Sequence, residues 1–108
     1  MGEAGESALP PLAGVKVLDM ARVFAGPVAG RILSDLGAEV VKVEPPEGDI
    51  TRLWGRKAAG LSTYYVQQNV GKRNVSIDLR AEGGPDLVRR LVAEADIVIE
   101  NFRPGIMA

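Results

Sequence analysis

The 108 residues include neither cysteine nor histidine. Without cysteine there is no disulfide staple, no thiolate metal site and no cysteine nucleophile. Without histidine the commonest transition-metal ligand and the usual general base near neutral pH are missing, so proton transfer falls to carboxylates, lysines and tyrosines. No segment supplies the roughly 20 consecutive apolar residues of a membrane span. The opening run from Met1 to Pro11 lacks the basic start and apolar stretch of a secretory signal. A soluble cytoplasmic protein with no membrane partner is the expectation. Neither sign of charge dominates: thirteen basic residues stand against fourteen acidic ones, a formal net charge of -1. That balance gives no long-range field for nucleic acid or an anionic bilayer.

What is present suits one core, since a chain of this length buries about two thirds of its unfolded surface. Residues 1–12 combine Gly, Glu, Ser and two prolines after Met1 and read as a flexible lead-in, which leaves 13–108 as the folded part. Val15, Val17 and Leu18 form a short apolar strand ending at Asp19. Phe24-Ala-Gly-Pro27 then turns into a helix in which Val28, Ile32, Leu33 and Leu36 recur at helical spacing, with Gly37 placed to close it in a left-handed conformation. Glu39 to Glu44 is a β-branched strand stopped by Pro45-Pro46. Residues 47–57 read as a loop or short helical turn, and 61–69 as a brief helix. Asn74 to Leu79 alternates like a half-buried strand, and Gly83-Gly84-Pro85 interrupts the chain before a helix with Leu87, Val88, Leu91, Val92 and Ala95 on one face. Asp96 to Glu100 is a compact strand, expected in the sheet interior because three consecutive large apolar side chains suit cover on both faces.

Short apolar strands alternating with amphipathic helices give the α/β class: a mostly parallel open sheet with flanking helices and right-handed crossovers. Ligands of such sheets bind beyond the carboxyl ends of the strands, which directs attention to residues 19–27, 44–57 and 101–105. In the first of these, Arg22 brings a forked phosphate donor to a turn before a helix. Gly26 and Gly30 serve either a bound anion or the close approach of helix and sheet. Glu44 is placed like a ribose-binding acid, but the dinucleotide glycine pattern is missing, so a solvated strand-end carboxylate is the better reading. Lys72 and Arg73 suit an anionic ligand or plain solvation. Tyr64, Tyr65 and Trp54 suit base stacking or core packing. Glu100-Asn-Phe-Arg-Pro-Gly105 joins hydrogen-bonding, stacking and cationic groups in one loop. Asp19, Glu44, Asp78 and Glu100 fall at or near strand ends, and no pair of them is assigned to acid–base work by spacing.

Taken together, Leu12 to Asp19, Phe24-Ala-Gly-Pro27, Leu33 to Pro46, Gly48-Asp49, Gly71 to Leu79 and Asp96 to Gly105 resemble the class III CoA-transferase family, the carnitine dehydratase and bile-acid-inducible type that includes α-methylacyl-CoA racemases. The resemblance spans about Leu12 to Ile106. It implies the N-terminal part of a CoA-binding, incomplete Rossmann-like domain from a longer chain that forms interlocked homodimers. It also implies that Arg22, Val23, Phe24, Ala25 and Gly26, the turn with Lys72 and Arg73, and Asn101, Phe102 and Arg103 lie near the CoA path. Coenzyme A and acyl-CoA enter as substrates beside a carboxylic acid, with no permanently bound cofactor. The family's catalytic aspartate, which carries the covalent intermediates, belongs to a region beyond Ala108, so no catalytic residue is assigned here and these residues alone are expected to be inactive. Two positions depart from particular branches. Phe24 replaces a glutamine of the formyl-CoA:oxalate branch, and Pro46 replaces an arginine that some members place near the adenine. Racemisation α to the thioester is the alternative reaction on this scaffold, and a non-catalytic nucleotide-binding or assembly module is the alternative of another class.

Overall fold

The computed structural model describes residues 9–107. Four parallel strands form the main sheet: β1 (Lys16–Asp19), β2 (Glu39–Glu44), β5 (Arg73–Ser76) and β6 (Ile97–Ile99), in the spatial order β5-β2-β1-β6. Helix α1 (Ala25–Asp35) connects β1 to β2, α2 (Thr63–Asn69) precedes β5, and α3 (Gly84–Glu94) carries the chain across to β6 on the far side of β1. A 3-10 turn (Ile50–Leu53) and a hairpin of β3 (Lys57–Ala58) and β4 (Leu61–Ser62) fill the connection after β2. The hairpin was not anticipated. Its two-residue turn uses Ala59 and Gly60, both at positive φ (52° and 79°), and alanine is a poor signal for that geometry.

Alternation along the strands builds two faces. Leu18, Met20, Val43 and Ile77 pack with Val88, Leu91 and Val92 of α3. Val17, Val40 and Ala38 pack with Leu12, Val15, Ile99 and Leu33 of α1 on the other side. On that second face the strands turn polar toward their carboxyl ends, where Asp19, Lys42 and Glu44 are all buried.

Three expectations are corrected. Only part of the apolar stripe of α1 faces the sheet: Leu33 packs on it, but Ile32 and Leu36 are exposed, and buried Gly26, Pro27 and Gly30 make the close contact. The approach is too close for side chains, since a Cβ on Gly26 would stand 2.1 Å from that of Ala21, and one on Gly30 2.7 Å from Asp19 Oδ2. Strand β6 pairs with β1 alone and forms an edge among the described residues, leaving Ile97 and Val98 more than a third exposed (38 % and 37 %). Three apolar residues in a row report burial in a larger sheet equally well, so the pattern does not locate the strand. Finally, β5 ends at Ser76 because Asp78 folds back, its carboxylate accepting from the Arg80 N–H and its carbonyl from the Ala81 N–H.

The expected lead-in falls mostly on residues 1–8, outside the described residues. Residues 10–12 are held, because the Leu12 N–H donates to the Leu36 carbonyl and Pro10 lies against Gly37. Gly37 does close α1 at a φ of 104°.

Candidate functional site

All four parallel strands open at their carboxyl ends onto one cleft of about 970 Å³. The segments after β1, β2, β5 and β6 each contribute to it. Its floor is apolar: Met20, Val43 and Ile77 come from the sheet, and Phe102 packs against them. Arg22, Arg80 and Arg103 surround that floor from three different loops. The chain reverses its strand order between β1 and β6, and such a switch point leaves adjacent connections diverging to opposite faces, which opens a crevice.

The loop after β1 is held by side chains rather than by a ladder. Met20 still pairs with β6, its N–H donating to the Ile99 carbonyl at 2.8 Å. Ala21 is fully buried; its N–H donates to Asp19 Oδ1 at 2.9 Å, and its carbonyl accepts from Lys42 Nζ at 3.0 Å. The Asn101 side-chain amide then accepts from the Arg22 N–H and donates to the Arg22 carbonyl. Val23 follows at a φ of 76°, strained for a β-branched residue and sustained only where neighbours over-determine the backbone. The Arg22 guanidinium lies 5.4 Å from the centre of the Phe102 ring, within cation–π range.

Beneath this loop two buried ion pairs lie side by side. Lys72 Nζ meets Asp19 Oδ2 at 2.6 Å, and also donates to the Pro27 carbonyl and to Asn69 Oδ1. Burial lowers the Lys72 ammonium below its ordinary value, opposed by the Asp19 carboxylate. Lys42 Nζ lies 3.1 Å from Asp49 Oδ2, which accepts no well-aligned hydrogen bond among the described residues, so the contact is chiefly ionic. Asp49 Oδ1 accepts from both the N–H and the hydroxyl of Thr51. Burial opposes Asp49 ionisation, but Thr51 and Lys42 outweigh it and its pKa is lowered.

Glu44 anchors the loop after β2. Its carboxylate accepts from Arg52 Nε and Nη2, the Asp49 N–H, the Tyr65 hydroxyl and the Asn74 amide. Burial alone would raise its pKa; the donors, Arg52 foremost, bring it down to about 2. Burial and the Glu44 carboxylate push the Tyr65 phenol above its ordinary value. Among the described residues no cluster of three or more carboxylates could hold a metal ion.

A family model for CoA-transferase family III matches residues 12–108. The chain belongs to that family. It is 52% identical over 102 residues to a succinate–glutarate CoA-transferase of Agrobacterium fabrum, an alignment covering 87% of this chain and 26% of the relative. It is 46% identical over 99 residues to the human succinyl-CoA:glutarate CoA-transferase, covering 90% of this chain and 23% of that protein. The crystal structure of a CAIB/BAIF family protein from Brucella suis superposes with a TM-score of 0.84 at 52% identity, covering 91% of this chain and 27% of that one. The chain thus spans about a quarter of the length of these relatives.

For this member of the CoA-transferase family III the structure sorts the expected site residues into two groups. Arg22, Val23, Asn101, Phe102 and Arg103 line the cleft. Phe24, Ala25 and Gly26 stand at the start of α1 outside it, and Gly26 makes room for Ala21. Lys72 is buried in its ion pair, neither solvated nor directed to the cleft, and Arg73 is exposed beside Glu39, toward the amino-terminal end of the sheet. Asp19 and Glu44 are likewise not the solvated strand ends that their positions suggest; both are buried and paired. Trp54 packs edge-on against Tyr64, and Tyr65 belongs to the Glu44 cluster. Sequence reasoning missed Leu79 and Arg80, which line the cleft beside Asp78. Extending the third strand of the main sheet to Leu79 concealed the loop there; an aspartate two residues before Arg80 was the available turn signal.

Proposed function

We propose that this chain forms the coenzyme A-binding N-terminal portion of a CoA-transferase, which moves CoA between an acyl-CoA and a carboxylic acid. The observation that carries this reading is the cleft itself: three arginines from separate loops around an apolar floor. Coenzyme A needs cations for its phosphates and apolar surface for its adenine and its pantetheine arm, and an arginine fork matches phosphate geometry. Where Pro46 leaves the nucleotide end without an arginine, Arg80 lines the same cleft and supplies one. The strand order β5-β2-β1-β6 supports a Rossmann-like reading of the sheet.

The carboxylates within the chain support a binding role rather than a nucleophilic one. Asp19, Glu44 and Asp49 are buried and paired, while Asp78 and Glu100 each cap a main-chain N–H. Glu47 also lines the cleft, and it is the family resemblance that assigns the covalent intermediates of transfer to a carboxylate outside these residues. The full-length protein acts as a cytoplasmic homodimer on acyl-CoA and carboxylic acids, without a resident cofactor, nucleic acid or membrane partner. Calorimetric titration of the full-length protein with CoA, followed by transfer assays from succinyl-CoA to glutarate and other acids, tests the reading. Saturable CoA binding with turnover of at least one pair is expected; absence of CoA binding overturns it.

A further inference from the structure

The main chain of residues 20–22 is gripped from three directions, and the grip on Ala21 comes from buried charge. A peptide carbonyl at the end of a strand is normally satisfied by the neighbouring strand or by water. That of Ala21 faces Lys42 Nζ, on a side chain 1% exposed, whose other contact is the carboxylate of Asp49 in the loop after β2. The Ala21 N–H is taken by Asp19, itself pinned by Lys72. An ammonium removed from water at this depth costs several kcal/mol unless it is fully partnered, and an apolar pair of similar volume often serves stability as well. Stability therefore gives little reason to keep two such pairs under one loop. A backbone that must hold Val23 at positive φ and present Arg22 over Phe102 gives a reason.

We infer that Lys42 is a positioning residue for the ligand cleft: by holding the Ala21 carbonyl from below, it fixes the loop from which Arg22 reaches the ligand. The inference rests on the CoA reading of the cleft for its ligand, but not for the grip itself. Lys42 does not line the cleft, so its effect on binding passes through Ala21. Asp49 has the supporting part of compensating the buried charge while its other oxygen folds the turn at Thr51.

The test compares two variants of the full-length protein. Asp49→Asn removes the carboxylate but leaves an acceptor for Thr51 and leaves Lys42 able to donate to Ala21. Lys42→Met with Asp49→Asn removes the donor as well and leaves no unpaired buried charge. Amide hydrogen exchange at residues 21–24 should be faster in the double variant than in Asp49→Asn, with Val17 and Val40 unchanged. CoA affinity should fall about ten-fold between the two, the equivalent of one charge-assisted hydrogen bond. Equal exchange at 21–24 in both variants overturns the grip. Faster exchange with equal CoA affinity overturns the positioning role. If the parent protein binds no CoA, the ligand reading fails, and the exchange comparison still decides whether Lys42 holds the loop.

Discussion

The side-chain amide of Asn101 brackets the main chain of Arg22, accepting from its N–H at 3.0 Å and donating to its carbonyl at 2.7 Å. The two residues are 79 apart in sequence, and the contact ties the loop after β1 to the loop after β6 across the switch point. Asn101 lines the cleft itself and also fixes the backbone that carries an arginine. Asn101→Ala should cost only about 1 kcal/mol of stability, because both groups are exposed and rehydrate. CoA affinity should nevertheless fall, by about ten-fold. Paired calorimetry and denaturant unfolding check this; equal affinity in the variant means that the bracket is ornamental.

Gly26→Ala should destabilise the fold by about 1–3 kcal/mol, the range for forcing an extra methyl into a packed contact. The new Cβ would meet that of Ala21 at 2.1 Å, and neither backbone has a flexible side chain to yield. A lower urea midpoint at unchanged slope is the expected result.

Glu44 makes the fold sensitive to acid. Its folded pKa of about 2 lies below the ordinary 4.5, so its stabilisation is present above pH 4.5 and is lost as the pH falls toward about 2. The shift corresponds to at most about 3 kcal/mol. Asp49, also lowered, acts in the same direction. Stability measured from pH 6 downward should drop in the parent, and the gap between it and Glu44→Gln should narrow; a constant gap would show that Glu44 does not titrate in this window.

Arg22, Arg80 and Arg103 should contribute to CoA affinity in a salt-dependent way. Each alanine replacement should weaken binding by about three- to ten-fold, and more strongly as ionic strength falls, because the lost attraction is less screened there. Titrations at two salt concentrations read this directly. Unchanged affinity in both Arg22→Ala and Arg103→Ala would return these side chains to the solvated surface.

Expressed by itself, the 108-residue chain should turn over no acyl-CoA and form no discrete stable dimer. Ile32, Leu36, Leu53 and Leu61 are exposed, as are Ile97 and Val98 on the edge strand. Between residues 45 and 70 every buried side chain is polar, namely Asp49, Thr51, Ser62, Gln68 and Asn69, so hydrogen bonds rather than apolar packing hold that region. Its amides should exchange well before those of β1 and β2. Sedimentation, exchange and a transfer assay on the same preparation test all three expectations, and a discrete dimer with turnover would require a nucleophile among the carboxylates present.

By itself the sequence determined the succession of the four main-sheet strands and the three helices, though not the hairpin of β3 and β4, because periods of 2 and 3.6 are local properties of the chain. The Gly37 helix end and the stop at Pro45-Pro46 were legible for the same reason: each depends on one residue's own backbone. It also determined the family, through blocks spread from Leu12 onward, and three of the four loops that meet at the cleft. The tertiary structure alone decided which polar residues are buried and with whom. Lys72 and Asp19 are 53 residues apart, and nothing near either one marks it as half of a buried pair. The direction of α1 was undecidable from its apolar stripe, because close approach through Gly26 and Gly30 competes with burial of Ile32 and Leu36, and the outcome depends on the shape of the sheet beneath. The place of Arg80 at the cleft rested on where β5 stops, which the fold-back of Asp78 sets after the strand has paired with β2.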